Sequence, residues 1–444
     1  MVAHGVRACY YTLGCKLNYA ETSQIADELA RMGVVNLPDG HDAGGADICI
    51  VNTCSVTAEA NKKCRQLIRQ LRRRMPGAAI VVTGCYAQLC PDDVKGLPGV
   101  AIVAGNDRKG DIAAYVRVLL DGGAGGCHVD DARGFRRFAA ACAHGDRTRY
   151  FLKVQDGCDC FCTYCTIPMA RGRSRSATVG EMVEQARRVA DAGGREIVIT
   201  GVNIGDFGKR SRLGNRVENF YDLIVGLDGV DGIDRYRISS IEPDLLTDEI
   251  IDFVAGSRRF MPHFHIPLQA GCDATLRLMR RRYDTALFQS RIERIRQKMP
   301  DAFIGVDVIA GSRGESAEAF NESVAFIRSL DITRLHVFPY SERPGTRALE
   351  IPGVVSQHEK HLRVGELMAV SSHKLEMFSR RFVGSVRDVL LEHSAADGRM
   401  GGFTDNYLRV ALLSPAAHLA NTVVPVRLLS YDSATETMRG EIAE

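Results

Sequence analysis

The sequence has no window approaching the roughly 18 consecutive apolar residues of a bilayer span, which excludes a helical membrane protein. Met1 to Cys15 lack the charged start and apolar stretch of a secretory leader, so a soluble chain in the cytosol is expected. Neither sign of charge dominates: 57 Lys and Arg against 54 Asp and Glu leave +3, and the whole molecule is no polycation. Tandem repeats and low-complexity tracts are missing too. Hydrophobic residues at 45% and charged residues at 25% exclude global disorder, and 444 residues correspond to two to three domains.

What the sequence does have is cysteine, fourteen in all. In a reducing cytosol that frequency points to metal binding or catalysis rather than a disulfide frame. The basic residues are clustered. Lys62 to Arg74 carries Lys62, Lys63, Arg65, Arg69, Arg72, Arg73 and Arg74 with no acid; Arg171, Arg173 and Arg175 form a second group, Arg277 with Arg280 to Arg282 a third. Such clusters are the electrostatic footprint of a phosphate-backbone binder, although a solvated helix face reads the same way.

Residues 1–125 alternate short apolar runs (Ala8 to Thr12, Ile48 to Val51, Ala79 to Val82) with helical periodicity over Glu21 to Met32 and Glu59 to Met75. That alternation predicts an α/β domain with a parallel sheet. A cysteine follows each strand almost at once, as Gly14-Cys15, Asn52-Thr53-Cys54 and Gly84-Cys85. Ligands of open α/β sheets bind outside the strands' carboxyl ends, so three cysteines distant in sequence converge on one end of one sheet. A Gly- and Ala-rich stretch leads into residues 126–148, read as a linker or edge connection. The alternation restarts with candidate strands Tyr150 to Gln155, Glu196 to Thr200, Arg237 to Ser240, His263 to Leu268, Phe303 to Ile309 and Leu335 to Phe338. Six parallel units over 149–380 predict a partial (β/α) barrel with its chemistry at the strands' carboxyl ends. Residues 381–444 are short strands broken by Gly, Asn, Asp and Pro, which predicts a small β-barrel. With five Arg from Phe382 onward against eight Asp and Glu, it is not an obvious general RNA clamp, while a local basic face stays open.

Cys158, Cys162 and Cys165 stand at the spacing Cys-x3-Cys-x2-Cys just after the first barrel strand. Three thiolates on one loop can hold three irons of a [4Fe–4S] cube and leave the fourth open for a substrate. The alternative is a zinc site with Cys160 as fourth thiolate, although zinc sites usually use two separated cysteine pairs. Cys9 and Cys49 lie within strands and read as core residues; Cys64, Cys90, Cys127, Cys142 and Cys272 lack partners at ligand spacing and read as structural.

The loop Gly157 to Cys165, followed by Ile167-Pro168-Met169-Ala170-Arg171-Gly172-Arg173-Ser174-Arg175-Ser176, resembles the radical S-adenosylmethionine methylthiotransferase family. Gly14-Cys15-Lys16-Leu17-Asn18, Asn52 to Thr57 and Gly84-Cys85-Tyr86-Ala87-Gln88 look like that family's second cluster site. Their wording, with Ser239-Ser240-Ile241-Glu242-Pro243 and His265 to Asp273, is most similar to tRNA methylthiotransferases of N6-threonylcarbamoyladenosine 37. The tail resembles the RNA-binding TRAM module.

The resemblance implies two [4Fe–4S] clusters. Cys158, Cys162 and Cys165 would hold the one whose open iron chelates S-adenosylmethionine, and one-electron cleavage there gives methionine and a 5′-deoxyadenosyl radical. Cys15, Cys54 and Cys85 would hold the auxiliary cluster that carries the sulfur. Radical chemistry suits the target because the adenine C2–H bond resists acid–base catalysis. The resemblance also implies a tRNA anticodon loop as substrate and an electron donor such as flavodoxin or ferredoxin; the sulfur source stays open. For S-adenosylmethionine, Thr200, Gly201 and Asn203 close the second barrel strand, Ser240 and Glu242 follow the third, and Gln269 ends the fourth. Val308 belongs to the fifth strand's adenine-contact motif; the family's Phe-Pro is here Ser312-Arg313. The helix from Lys62 and Arg171, Arg173 and Arg175 are candidate RNA contacts, with Tyr86, Tyr164 and Tyr340 as candidate stacking partners for an extruded base. The rivals are a sister enzyme acting on isopentenyladenosine tRNA or a ribosomal-protein aspartate, and a non-catalytic iron–sulfur RNA-binding redox sensor.

Overall fold

The structure, a computed structural model, describes residues 5–37, 45–143, 148–209, 212–213, 216–394, 398–414 and 417–443. Residues 144–147 of the expected linker lie outside that set. The N-terminal strands are β1 (Arg7–Thr12), β2 (Val35–Asn36), β3 (Ile48–Thr53), β4 (Ala79–Gly84), β5 (Val100–Ala104) and β6 (Gly126–His128). They form one parallel sheet in the order β2-β1-β3-β4-β5-β6. The run Ile48-Cys49-Ile50-Val51 sits at its centre because it is apolar on both faces, and all of β3 is buried. The chain leaves β1 toward β2 on one side and returns to β3 on the other. Between β1 and β3 therefore lies a topological switch point, where the loops bearing Cys15 and Cys54 open a crevice.

Helix α1 spans Lys16–Arg31, with Cys15 at its N-cap, five residues earlier than the apolar periodicity indicated. Its first turn was hidden because Asn18 is buried but polar, donating to the carbonyls of Leu13 at 2.8 Å and Thr53 at 3.1 Å. Helix α2 spans Ala58–Arg74; the Thr57 hydroxyl caps it by accepting from the Ala60 amide. The stretch read as a linker carries two edge strands: β6 extends the N-terminal sheet, and β7 (Ala141–Cys142) pairs antiparallel with the first barrel strand.

That first barrel strand is β8 (Arg149–Lys153); β9 (Gln155–Asp156) and β10 (Arg175–Ser176) form a small antiparallel pair behind the cysteine loop. After β11 (Glu196–Thr200), the strands β12 (Arg212–Leu213) and β13 (Arg216–Val217) make a short hairpin. The barrel continues with β14 (Arg235–Ile238), β15 (His263–Gln269), β16 (Phe303–Ala310) and β17 (Arg334–Pro339). Strands β8, β11 and β14 pair in parallel, as do β15, β16 and β17. Single parallel bridges, Ser240 with His265 and Tyr236 with Phe260, join the two sets into an open six-stranded barrel. Leu152, Ile199, Ile238, Ile266 and Val306 fill its core.

Strands β18 (Val386–Leu391), β19 (Gly401–Thr404), β20 (Arg409–Leu412), β21 (Val423–Asp432) and β22 (Thr437–Ile442) close a separate small barrel. Two charged residues inside β14 dock it. Arg237, fully buried, pairs with Glu196 at 2.9 Å and donates to the carbonyls of Thr404 and Asp405 at 2.8 Å each. Arg235 donates to the carbonyls of Phe403 and Asp388. Replacing Arg237 with Met leaves Glu196 buried without its cation, a loss of about 3–5 kcal/mol. The expected result is release of the C-terminal barrel, measured as faster tryptic cleavage after Arg380 or Arg381. Unchanged proteolysis would show that the contact does not hold the barrel. Among the described residues, no helix is long and apolar enough to cross a membrane.

Candidate metal and substrate site

Register places the N-terminal cysteines. Thr53 pairs with Gly84 across β3 and β4, so Cys54 and Cys85 leave adjacent strands side by side. Gly14 stands at φ +107°, and a Cβ there would meet the Cys54 Cβ at 2.8 Å and Sγ at 3.1 Å. Gly84, at φ +98°, lies against the Thr53 backbone, where a Cβ would meet the carbonyl oxygen at 2.3 Å. Only glycine lets these loops close up behind the thiols. Cys54 and Cys85 are buried and Cys15 is exposed. Burial, then the neighbouring Cys85, pushes the Cys54 thiol up to about 12. Such a thiol ionises when a cation arrives, as metal binding supplies.

In the barrel loop, each sulfur of the spaced trio receives an N–H. The Cys160 amide points at Cys158 Sγ at 3.4 Å, the Ile167 amide at Cys165 Sγ at 3.4 Å, and the Arg281 guanidinium at Cys162 Sγ at 3.1 Å. These donors favour thiolates and tune a cluster's potential. Cys165 is pushed up to about 12 by burial and then by Cys162. Cys160 stands apart by its contacts: its amide is turned onto Cys158 Sγ and its own sulfur lies 3.8 Å from the Asn203 side-chain amide, while its hydrogen bond to Cys158, then burial, raises the thiol well above its ordinary range. A tetrahedral zinc ion needs sulfurs only about 3.8 Å apart, from a Zn–S distance near 2.3 Å. Among the described residues, no three His, Cys, Asp or Glu side chains are gathered for a single ion. Gln155 ties this loop to the end of β11. Its Oε1 accepts from the amides of Val202 and Asn203, and its Nε2 donates to the Gly157 carbonyl and the Ser174 hydroxyl.

The two cysteine sites are joined by a buried ionic network that the sequence did not reveal. Glu21 of α1 accepts from Lys109, from Lys153 at 2.7 Å and from Arg171 at 3.0 Å. Asp156, two residues before Cys158, accepts from Lys153 at 2.9 Å, Arg171 at 3.0 Å and Arg175 at 3.1 Å. Burial alone would raise both carboxyls, but the surrounding cations hold both well below the ordinary carboxylate range. Asn106 adds a direct link, donating to the Ala170 carbonyl at 2.8 Å with its amide 3.9 Å from Cys85 Sγ.

This network corrects one expectation. Arg171 and Arg175 were candidate RNA contacts, yet both are buried in these pairs, and of that group only Arg173 is exposed. Tyr86 and Tyr340 are buried as well, which removes them as open stacking platforms. Lys62, Lys63, Arg69, Arg72, Arg73 and Arg74 do lie exposed along α2 and make a basic face beside the Cys54 loop.

A cavity of about 790 Å³ inside the barrel brings Thr200, Gly201 and Ser240 together with Gly14 and Cys15. The other expected S-adenosylmethionine contacts lie outside its lining. The Asn203 amide reaches toward Cys160 Sγ, Gln269 takes a left-handed backbone at φ +68°, and Val308 packs in the barrel core. Glu242 is paired with Arg281; burial lifts it to about 7 against the pull of that guanidinium. Arg281 thus bridges Cys162 and Glu242, a role its arginine-rich surroundings concealed.

Comparison with known proteins agrees with both halves of this geometry. Residues 7–105 match the uncharacterized protein family UPF0004, and residues 152–327 match the radical SAM superfamily. The threonylcarbamoyladenosine tRNA methylthiotransferase MtaB of Bacillus subtilis is 35% identical over 431 residues, covering 95% of this chain and 93% of that one. The tRNA-2-methylthio-N(6)-dimethylallyladenosine synthase of Syntrophotalea carbinolica is 31% identical, covering 94% and 95%. Among solved structures, the radical S-adenosylmethionine methyltransferase TsrM of Kitasatospora setae superposes with a TM-score of 0.55 at 14% identity, over 74% of this chain and 72% of that one; this likeness concerns the fold. With a cysteine site on each of two sheets and relatives matching nearly end to end, the chain belongs to the radical SAM methylthiotransferase family, enzymes that use S-adenosylmethionine and [4Fe–4S] clusters.

Proposed function

We propose that this protein inserts a methylthio group at C2 of N6-threonylcarbamoyladenosine 37 in tRNA. The observation that carries the reading is the pair of three-cysteine sites, one from three loops of the N-terminal sheet and one from a single barrel loop, tied together through Glu21, Asp156 and Arg171. Cys158, Cys162 and Cys165 would hold the cluster that binds S-adenosylmethionine, and Cys15, Cys54 and Cys85 the auxiliary cluster. The donors on the first trio and the glycine clefts behind the second support that assignment. When bound, the two clusters supply one-electron cleavage of S-adenosylmethionine and delivery of sulfur. The protein's own part is placement. Gln155 fixes the loop of the first trio against the end of β11, Arg281 donates to Cys162, and the buried network sets the two loops in register.

The choice of substituent rests on relatives named for threonylcarbamoyladenosine at up to 35% identity, against 31–32% for relatives named for dimethylallyladenosine. The exposed cationic face of α2 supports an RNA partner. We place the reaction in the cytoplasm, with flavodoxin or ferredoxin as the class of electron donor. The test is mass spectrometry of tRNA nucleosides from a deletion strain. Loss of 2-methylthio-threonylcarbamoyladenosine, with a matching rise of its unmethylthiolated form, is expected. An unchanged pool, or loss of the isopentenyl derivative instead, would overturn the assignment.

A further inference from the structure

The cavity inside the barrel runs from Cys15 and Lys16 at the strands' carboxyl ends to His263 and Phe303 near their amino ends, and outward to the C-terminal barrel. Its charged lining consists of Lys16, Arg334, Arg409 and Glu436. Arg334 and Glu436 pair at 2.7 Å and cancel. Among the described residues, Lys16 and Arg409 have no ion-pair partner, so the cavity carries uncompensated positive charge. Lys16 lines it, and its charge reaches the histidines: burial is the main cause holding the His263 and His336 imidazoles below their ordinary range, then Arg237 for His263 and His265 for His336, with Lys16 adding a smaller part to both. Against burial, Lys16, Arg149 and Arg237 pull the Tyr407 hydroxyl down. His265, the third histidine of the lining, is engaged with Asp307 at 2.7 Å. Buried polar atoms mark the walls as built for a polar guest: His263 Nδ1 and Ser239 Oγ have no partner. A half-buried ammonium without a counter-ion is costly, and a cavity arranged around one suits an anion.

The position of this ammonium matters as much as its charge. Lys16 directly follows Cys15, so an anion paired with it is held next to the sulfur-delivering site. The threonylcarbamoyl substituent ends in a carboxylate; a dimethylallyl substituent is a neutral hydrocarbon. We propose that Lys16 is the specificity-determining residue of this enzyme, pairing with the carboxylate of the N6 substituent inside the barrel cavity. The inference rests on the substrate reading above and extends it. A hydrocarbon substituent would leave the ammonium desolvated and unpaired, so the same residue selects one substrate and rejects the other.

The experiment measures binding, by fluorescence anisotropy under anaerobic conditions, of full-length reconstituted protein to anticodon stem-loop RNAs. The RNAs carry threonylcarbamoyladenosine, its methyl ester or plain adenosine at position 37. A hydrogen bond between charged groups predicts that the parent prefers the acid over the ester about ten- to a hundredfold. Lys16→Gln should lose that preference while binding the ester RNA within about twofold of the parent, and Lys16→Arg should keep most of it. Iron content reports whether each variant has loaded its clusters. If Lys16→Gln retains the preference, or weakens all three RNAs equally as a phosphate contact would, the proposal fails. Loss of S-adenosylmethionine affinity alone in equilibrium dialysis would place the ammonium on the cofactor's carboxylate and also overturn it. Should the glutamine variant not load, the parent decides: equal affinity for acid and ester sinks the idea. Failure of the substrate reading looks different, since the parent would then methylthiolate an isopentenyladenosine RNA and leave the threonylcarbamoyl RNA untouched.

Discussion

Alanine at Cys158, Cys162 and Cys165 together should abolish production of 5′-deoxyadenosine from S-adenosylmethionine under dithionite, with methylthiolation falling to baseline. Alanine at Cys15, Cys54 and Cys85 should leave that cleavage in place and abolish methylthiolation alone. The two sets separate because they sit on different sheets, each with its own glycine-lined or donor-lined loop. With four irons per cube, anaerobic analysis should find about eight irons and eight sulfides in the parent and about four in either triple variant. A barrel-loop variant that keeps eight irons, or an N-terminal variant that stops cleaving S-adenosylmethionine, would contradict the division of labour. Cys160→Ser should stay near the parent in iron content, because Cys160 stands outside the Cys-x3-Cys-x2-Cys trio, with its amide on Cys158 Sγ and its sulfur beside the Asn203 side chain.

The second large effect is expected at Glu21. This carboxylate is 4% exposed and holds three cations, two of them from the barrel side. Removing one member of a buried ionic cluster leaves the others uncompensated, at about 3–5 kcal/mol. Glu21→Gln should therefore unfold at markedly lower urea, and it should lose methylthio transfer more than cleavage of S-adenosylmethionine. Transfer needs both cysteine loops in register, whereas cleavage needs only one. The pH dependence has a definite sign. Glu21 is depressed in the folded protein, so its contribution is present above the unfolded carboxylate pKa of about 4.3 and is lost as pH falls below it toward the depressed folded value. The gap between parent and variant should be constant from about pH 8 to about pH 5.5 and narrow below about pH 5. A gap that widens with acid, or no gap at neutral pH, would remove the network from the account of stability.

Local pattern carried much of the fold. β3 reads as a central strand because Ile48 to Val51 are apolar without alternation, and its burial on both faces follows. The strand–cysteine adjacency at Cys15, Cys54 and Cys85 predicted their convergence, since a parallel sheet aligns all carboxyl ends on one edge. The basic residues were harder. Arginine runs read the same whether they face water or a buried carboxylate; in α2 the buried stripe of Ile68 and Leu71 is what turns the basic residues of the opposite face outward. Arg171 lies 150 residues from Glu21 and Arg237 lies 41 from Glu196, and no local periodicity announces a partner at such separations. Arg281 was obscured in the same way, as one of several neighbouring arginines with only its own side chain turned onto Cys162.

The sequence by itself determined the alternation of strands and helices, the two cysteine trios and the family, because these depend on spacing along the chain and on short-range backbone preference. Tertiary structure alone decided which arginines are buried ionic struts, how Glu21 couples the two cysteine sites, and that Lys16 lines a cavity whose far wall comes from residues 403–438. The physical reason is range: propensity and periodicity act over a few residues, whereas ion pairing and cavity shape depend on distances in space that only the folded chain sets.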